Sequence, residues 1–276
     1  MNLNEIKAST ASPFAARNLI RGCTGLVILL AALTASALEV TEVVGQETVD
    51  MLRGKTILLA GATGNNGSAV LKQFGELGLR PRAMSRDAAK ARGEFGDQYE
   101  WVEADVTDPA SLPKAMEGVD VVIWAVATAM PFGGNRPEKV DYEGVVNVAN
   151  AAKAAGVKRM VMITSSVSGK EDSMLNWVGN MLIWKGRGEQ AVIESGLEYV
   201  IVGPTAIKFE PGSQAIRLEP RPEYQRGQTV MIGDLASVVI AAAVLPEAAN
   251  RVFSVYNDDA PVQAGWQSQF AEMPAN

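Results

Sequence analysis

Histidine is missing from all 276 residues of this chain. That absence removes Ser-His-Asp hydrolysis, His-ligated zinc and imidazole general-base chemistry together, and no metal site is expected. Cysteine is nearly missing too. Cys23 stands alone, so no disulfide can form within the chain and folding does not depend on an oxidising compartment. Positive charge is in short supply, with 25 Lys and Arg against 31 Asp and Glu and a net charge of −6. The few basic clusters are short and interrupted by acids, which argues against nucleic acid as a partner. Internal repeats and low-complexity tracts are lacking. Any proton transfer must therefore come from Lys, Tyr, Ser/Thr, a carboxylate or a bound cofactor.

A full-length apolar span is also lacking. The uncharged run Gly22 to Leu38 falls slightly short of the roughly 20 residues that a spanning helix wants. It follows a segment rich in Ala, Ser and Thr that carries Lys7, Arg17 and Arg21, and it ends on Ala35-Ser36-Ala37, a small-x-small pattern of the kind signal peptidases cut. Residues 1–38 read as a cleaved targeting peptide or as a retained membrane anchor, with membrane association through 22–38. A helix packed on the domain, or a misassigned start, is the remaining reading. No twin-arginine pair is present, so export of a folded, cofactor-loaded protein is not indicated. Residues 39–53, polar and Val-rich, read as a linker, and residues 54–276 as one domain.

What is present from Lys55 onward is alternation. Short β-branched runs (Thr56–Ala60, Arg80–Ser85, Glu100–Glu103, Val119–Ala125, Arg159–Thr164, Glu198–Val202) are separated by helical stretches that end on glycine. A late helix, Asp234–Leu245, and a strand, Arg251–Tyr256, form a small C-terminal part. The pattern predicts an α/β fold, a doubly wound and mostly parallel sheet of Rossmann type.

After the first of these strands comes Gly61-Ala62-Thr63-Gly64-Asn65-Asn66-Gly67, and then a helix. Strand, Gly-x-x-Gly-x-x-Gly, helix is the context that makes a dinucleotide loop specific. The first glycine allows the turn, the second lets backbone approach the pyrophosphate, and the third lets the helix pack closely on the strand. The helix N-terminus then offers N–H groups and its positive dipole end to the phosphates. The end of the second strand discriminates cofactors: an acid there binds a ribose 2′-OH, a cation a 2′-phosphate. Arg86 holds that position and Ser85 can add a hydroxyl, while Asp87, one residue later, reads as the cap of the next helix. NADP(H) is therefore favoured over NAD(H).

These residues resemble the atypical short-chain dehydrogenase/reductase superfamily, in particular its NAD(P)H-binding, NmrA-like members. The resemblance runs from about Lys55 to Tyr256 through Ala104-Asp105-Val106, Trp124-Ala125-Val126-Ala127, Ile163 to Ser166, Trp184-Lys185 to Glu189, Ser195 to Tyr199, and Gly233-Asp234-Leu235-Ala236. It implies that Asp105 and Val106 sit at the adenine, and that Ala125 and Ala127 flank the ribose and nicotinamide. It further implies a catalytic Ser166, a Lys185 that holds the nicotinamide ribose and lowers the pKa of a neighbouring acid, and a Pro204-Thr205 loop that closes over the nicotinamide.

Two positions depart from the pattern. Met181 stands four residues before Lys185, where the catalytic tyrosine is usual, and Gly203 stands before Pro204, where many relatives carry arginine. Tyr142 is expected on the other side of the sheet as a packing residue, and Tyr199 in the core. Without the phenol two functions remain open. One is an NADPH-dependent reductase of a small apolar acceptor (quinone, flavin or carbonyl), with Lys185 and Ser166 as its catalytic pair. The other is a redox sensor or assembly factor that binds NADP(H) without consuming it. The Met- and Trp-containing stretch from Met174 to Trp184 suits a flat apolar ligand, and a plain buried helix slightly better.

Overall fold

The structure, a computed structural model, describes residues 39–128, 133–177, 179–212, 214–221 and 227–275. Cys23 and the run 22–38 lie outside them. Among the described residues no helix is long and apolar enough to cross a membrane.

Four strands build the first half: β1 (Ile57–Ala60), β2 (Arg82–Ser85), β3 (Glu100–Glu103) and β4 (Val121–Trp124). β5 (Arg159–Ile163) and β6 (Glu198–Pro204) continue the sheet, and β10 (Arg251–Pro261) and β8 (Gln214–Pro220) complete it. The order is β3-β2-β1-β4-β5-β6-β10-β8, parallel throughout except for the β10–β8 pair. β7 (Ala206–Lys208) and β9 (Thr229–Met231) form a separate parallel pair. β1, β4 and β5 are buried at every position, as strands covered on both faces must be. One face packs α3 (Asn65–Glu76) and α8 (Ile232–Ala242) around Leu59, Phe74, Val202 and Val238. The other packs α5 (Leu112–Met116), α6 (Val145–Ala154) and α7 (Met181–Glu194) around Leu58, Trp124, Met160 and Val192.

The expected linker is structured. Residues 40–52 form α1 (Val40–Val44) and α2 (Gln46–Leu52). Val43, Val44, Val49 and Leu52 are buried in the α3/α8 core, and Trp266 Nε1 donates to Val43 O at 2.7 Å. A Val-rich stretch that looks like a spacer is one face of a helix whose partner lies more than 200 residues away. The helical stretch at 138–155 is not α-helical throughout. It opens with a π-helical turn, Glu138–Gly144, before α6 takes over. β7, β8 and β9 are not expected from the sequence, and β8 places an antiparallel strand at the sheet edge.

Candidate functional site

The glycine loop folds as its chemistry requires. Gly61 has φ +83°, and a Cβ there would lie 2.9 Å from the Ala125 carbonyl and the Val126 nitrogen. Gly67 is tighter still, since its Cβ would come 2.0 Å from Gly61 O. The start of α3 is thus pressed against the loop. Gly64 caps α3 without a side-chain hydrogen bond, so the first-turn amides, including those of Asn65, Asn66 and Gly67, are left for an anion. Gly67→Ala should therefore abolish nucleotide binding and lower stability by about 1–3 kcal/mol, because backbone cannot yield to the methyl. A dye-displacement titration and a thermal melt measure both; retained affinity would refute the assignment of the loop.

In front of this loop lies a cavity of about 330 Å³. Its lining includes Gly61, Thr63, Gly64, Ser85, Arg86, Asp105, Val106, Ala125 and Ala127 from the sequence reading, and it adds Thr128, Asn135 and Val140. Arg86 is exposed at the rim. Its neighbour Arg82, by contrast, is bound to Glu100, Ala115 O and Glu117 O. Asp87 is withdrawn as expected: its carboxylate accepts from Lys90 N at 2.8 Å and caps α4 (Ala88–Phe95). Ser85 Oγ accepts from Asp87 N and donates to Asp87 O. Asp105 commits one carboxylate oxygen, Oδ1, to the amide and hydroxyl of Thr107, both at 2.8 Å, which shapes the turn after β3.

The expected catalytic residues Lys185 and Ser166, and the Pro204-Thr205 segment, are not among the residues that line this cavity. Lys185 Nζ lies 2.7 Å from Asp141 Oδ1, with the two side chains 12% and 1% exposed. The other Asp141 oxygen accepts from the Thr128 hydroxyl, so a buried carboxylate joins Lys185 to the cavity wall. Asp141 escaped the sequence reading because an acid on a helix reads as solvated surface. The approach of the helices exposes its role: a Cβ on Gly188 of α7 would fall 2.2 Å from Asp141 O, so only glycine admits the contact. Tyr142 is not on the far side of the sheet. It stacks on Trp184 at 5.8 Å, on the same face as Lys185, and keeps a packing role there. Tyr199 is buried in the core as expected.

Ser166 is nearly buried, and its amide donates to Pro204 O at 2.9 Å. Pro204 ends β6, and Thr205 follows it as a buried residue whose hydroxyl donates to Val255 O, so this segment is held against the sheet. Met181, in the place of the phenol, opens α7. The buried-helix reading of the stretch from Met174 fails at its start: Met174 and Trp177 are 75% and 84% exposed on a 3-10 turn.

A doubly wound parallel sheet with a glycine loop, free helix amides and a cavity at the strand ends defines a dinucleotide-binding protein of Rossmann type. The chain belongs to the NAD(P)H-binding family, whose sequence profile matches residues 61–246. It is 27% identical to sanguinarine reductase of Eschscholzia californica, over 75% of this chain and 90% of that protein. It is 29% identical to a chloroplastic protein of Arabidopsis thaliana, over 73% and 76% of the two chains. Among solved structures, a putative NAD-dependent epimerase/dehydratase from Bacillus halodurans superposes with a TM-score of 0.67 at 23% identity, covering 79% of this chain and 100% of that one. That likeness speaks to the fold alone.

Proposed function

We propose that this protein is an NADPH-dependent reductase of a small apolar acceptor, a quinone, flavin or carbonyl compound. The observation that carries this reading is one cavity wall running from the glycine loop past Arg86 to Thr128, behind which Asp141 and Lys185 are paired. The fit to the dinucleotide rests on the uncapped α3 amides and the space kept by Gly61 and Gly67. Arg86 favours NADPH, because a guanidinium donates two parallel hydrogen bonds to a phosphate. When bound, the nicotinamide supplies the hydride. Lys185, held by Asp141, would orient the nicotinamide ribose, and Ser166 would contact the acceptor. With Met181 in place of a phenol, quinones and flavins suit the site best, since they can take their proton from water. The similarity to sanguinarine reductase supports a reductase reading.

A second reading, a sensor or assembly factor that binds NADP(H) without turnover, draws on the same Met181. The full chain incubated with NADPH and a quinone, flavin and aldehyde panel separates them. Loss of nicotinamide absorbance is expected with at least one acceptor, whereas tight binding without oxidation of any would favour the sensor. We further infer that residues 1–38 address the domain to an organelle interior that contains NADPH, as the chloroplastic relative supports. The mass of the mature protein tests this.

A further inference from the structure

At the C-terminal ends of β6 and β8, and at the part of β10 that lies between them, is a second polar cluster, on strands that do not line the cavity. Gly203, Ser254 and Glu219 are register partners in a row across these strands, so they share one face of the sheet. Arg221, two residues beyond Glu219, reaches back over Gly203. A Cβ at 203 would stand 2.1 Å from its Nη2 and 2.8 Å from its Cζ and Nε. The backbone of Gly203 does not itself demand glycine, since its φ is not positive. A methyl there would have to displace the guanidinium.

One edge of that guanidinium is spoken for. Nη1 donates to both oxygens of Glu189 at 2.9 and 2.8 Å, and Glu189 also accepts from the Thr164 hydroxyl at 2.6 Å. Thr164 lies two residues before Ser166, and Gly203 is bonded in sequence to Pro204, which holds the Ser166 amide. The other edge is not spoken for. Among the described residues, Arg221 Nε and Nη2, Ser254 Oγ and Glu219 Oε2 are buried and have no hydrogen-bond partner. Leaving such groups unmatched is unfavourable, and more so for charged ones.

We propose that Arg221, seated in the space kept by Gly203, binds an oxygen of the acceptor through its Nε–Nη2 edge, with Ser254 and Glu219 completing the site. The inference rests on the reductase reading and names the chemical group that the site takes. Two N–H donors suit a carbonyl oxygen, while Glu219 Oε2 and Ser254 suit the hydroxyl which that carbonyl becomes on reduction. The cluster of Arg221, Glu189 and Glu219 carries a net negative charge, which disfavours a carboxylate or phosphate on the ligand. Burial first, and then the bond to Glu219, push the Tyr256 phenol up to about 12, so Tyr256 stays a donor to Glu219. The donors of this edge match one oxygen of a neutral carbonyl or quinone.

The test is calorimetric titration of the full chain, saturated with NADP+, with a neutral naphthoquinone and with a naphthoquinone carboxylic acid. The neutral compound is expected to bind more tightly. Arg221→Met should weaken it about tenfold or more, the usual worth of hydrogen bonds to a charged group, and leave NADPH affinity within about twofold. Gly203→Ala keeps every charge but displaces the guanidinium, so it should reproduce the loss, and the two changes together should add nothing further. Preference for the carboxylate, no binding by the wild-type chain, or unchanged acceptor affinity in both variants would overturn the proposal. So would a loss shared equally by NADPH, or a crystal structure with only a water on that edge together with unchanged affinity. Acceptor binding without NADPH oxidation would instead remove the reductase reading and leave this site standing.

Discussion

Replacing Arg86 with alanine is expected to weaken NADPH roughly 10- to 100-fold while leaving NADH within about twofold, the range set by hydrogen bonds between a guanidinium and a phosphate. The asymmetry follows from how the end of β2 is arranged. Arg82 is tied to Glu100 and two carbonyls, and Asp87 is spent on capping α4, so Arg86 alone of the three is presented at the cavity rim. An exposed guanidinium contributes little to the fold, and the melting temperature should not move. Equal loss of both nucleotides would show that Arg86 does not read the 2′-phosphate. Arg86→Asp should go further and raise NADH affinity relative to NADPH, because a carboxylate accepts from a ribose hydroxyl and repels a phosphate.

Lys185→Ala is expected to abolish NADPH oxidation and also to destabilise the fold. Its partner Asp141 is 1% exposed, and removing one member of such a pair leaves a buried charge uncompensated. The cost is about 3 kcal/mol, which for a domain of this size lowers Tm by roughly 6–12 °C. The two effects can be separated. Lys185→Met combined with Asp141→Leu removes both charges and should recover much of the lost Tm, since an apolar pair can replace an ion pair. It should not recover turnover. Asp141→Asn keeps the shape but not the charge, so kcat should fall and Tm should fall with it, because the Lys185 ammonium loses its partner. Undiminished turnover in Lys185→Ala would remove this lysine from the proposed chemistry, whatever happened to Tm.

Part of this site was legible in local sequence because local backbone geometry makes it. The glycine loop, the capping Asp87 and the strand-end Arg86 each act within a few residues, and the structure puts Gly61, Gly64, Ser85 and Arg86 on one cavity. Trp124, Met160 and Tyr199 announced a buried sheet by their place in apolar runs, and all three are core. The partners were not legible. Nothing around Asp141 distinguishes it from a surface acid, because what buries it is Gly188 of α7, 47 residues on. Nor does anything around Gly203 show that Arg221 will lie over it.

The doubly wound fold, the glycine loop and the arginine at the end of β2 could be read without a structure, because each depends on periodicity or on residues a turn apart. That residues 40–52 pack into the domain and that Lys185 is held by Asp141 comes from tertiary contacts. The same holds for the sharing of Glu189 by Thr164 and Arg221. Those contacts join segments dozens to hundreds of residues apart. They exist only once close helix packing and the β10–β8 pairing have brought buried charges within reach of each other.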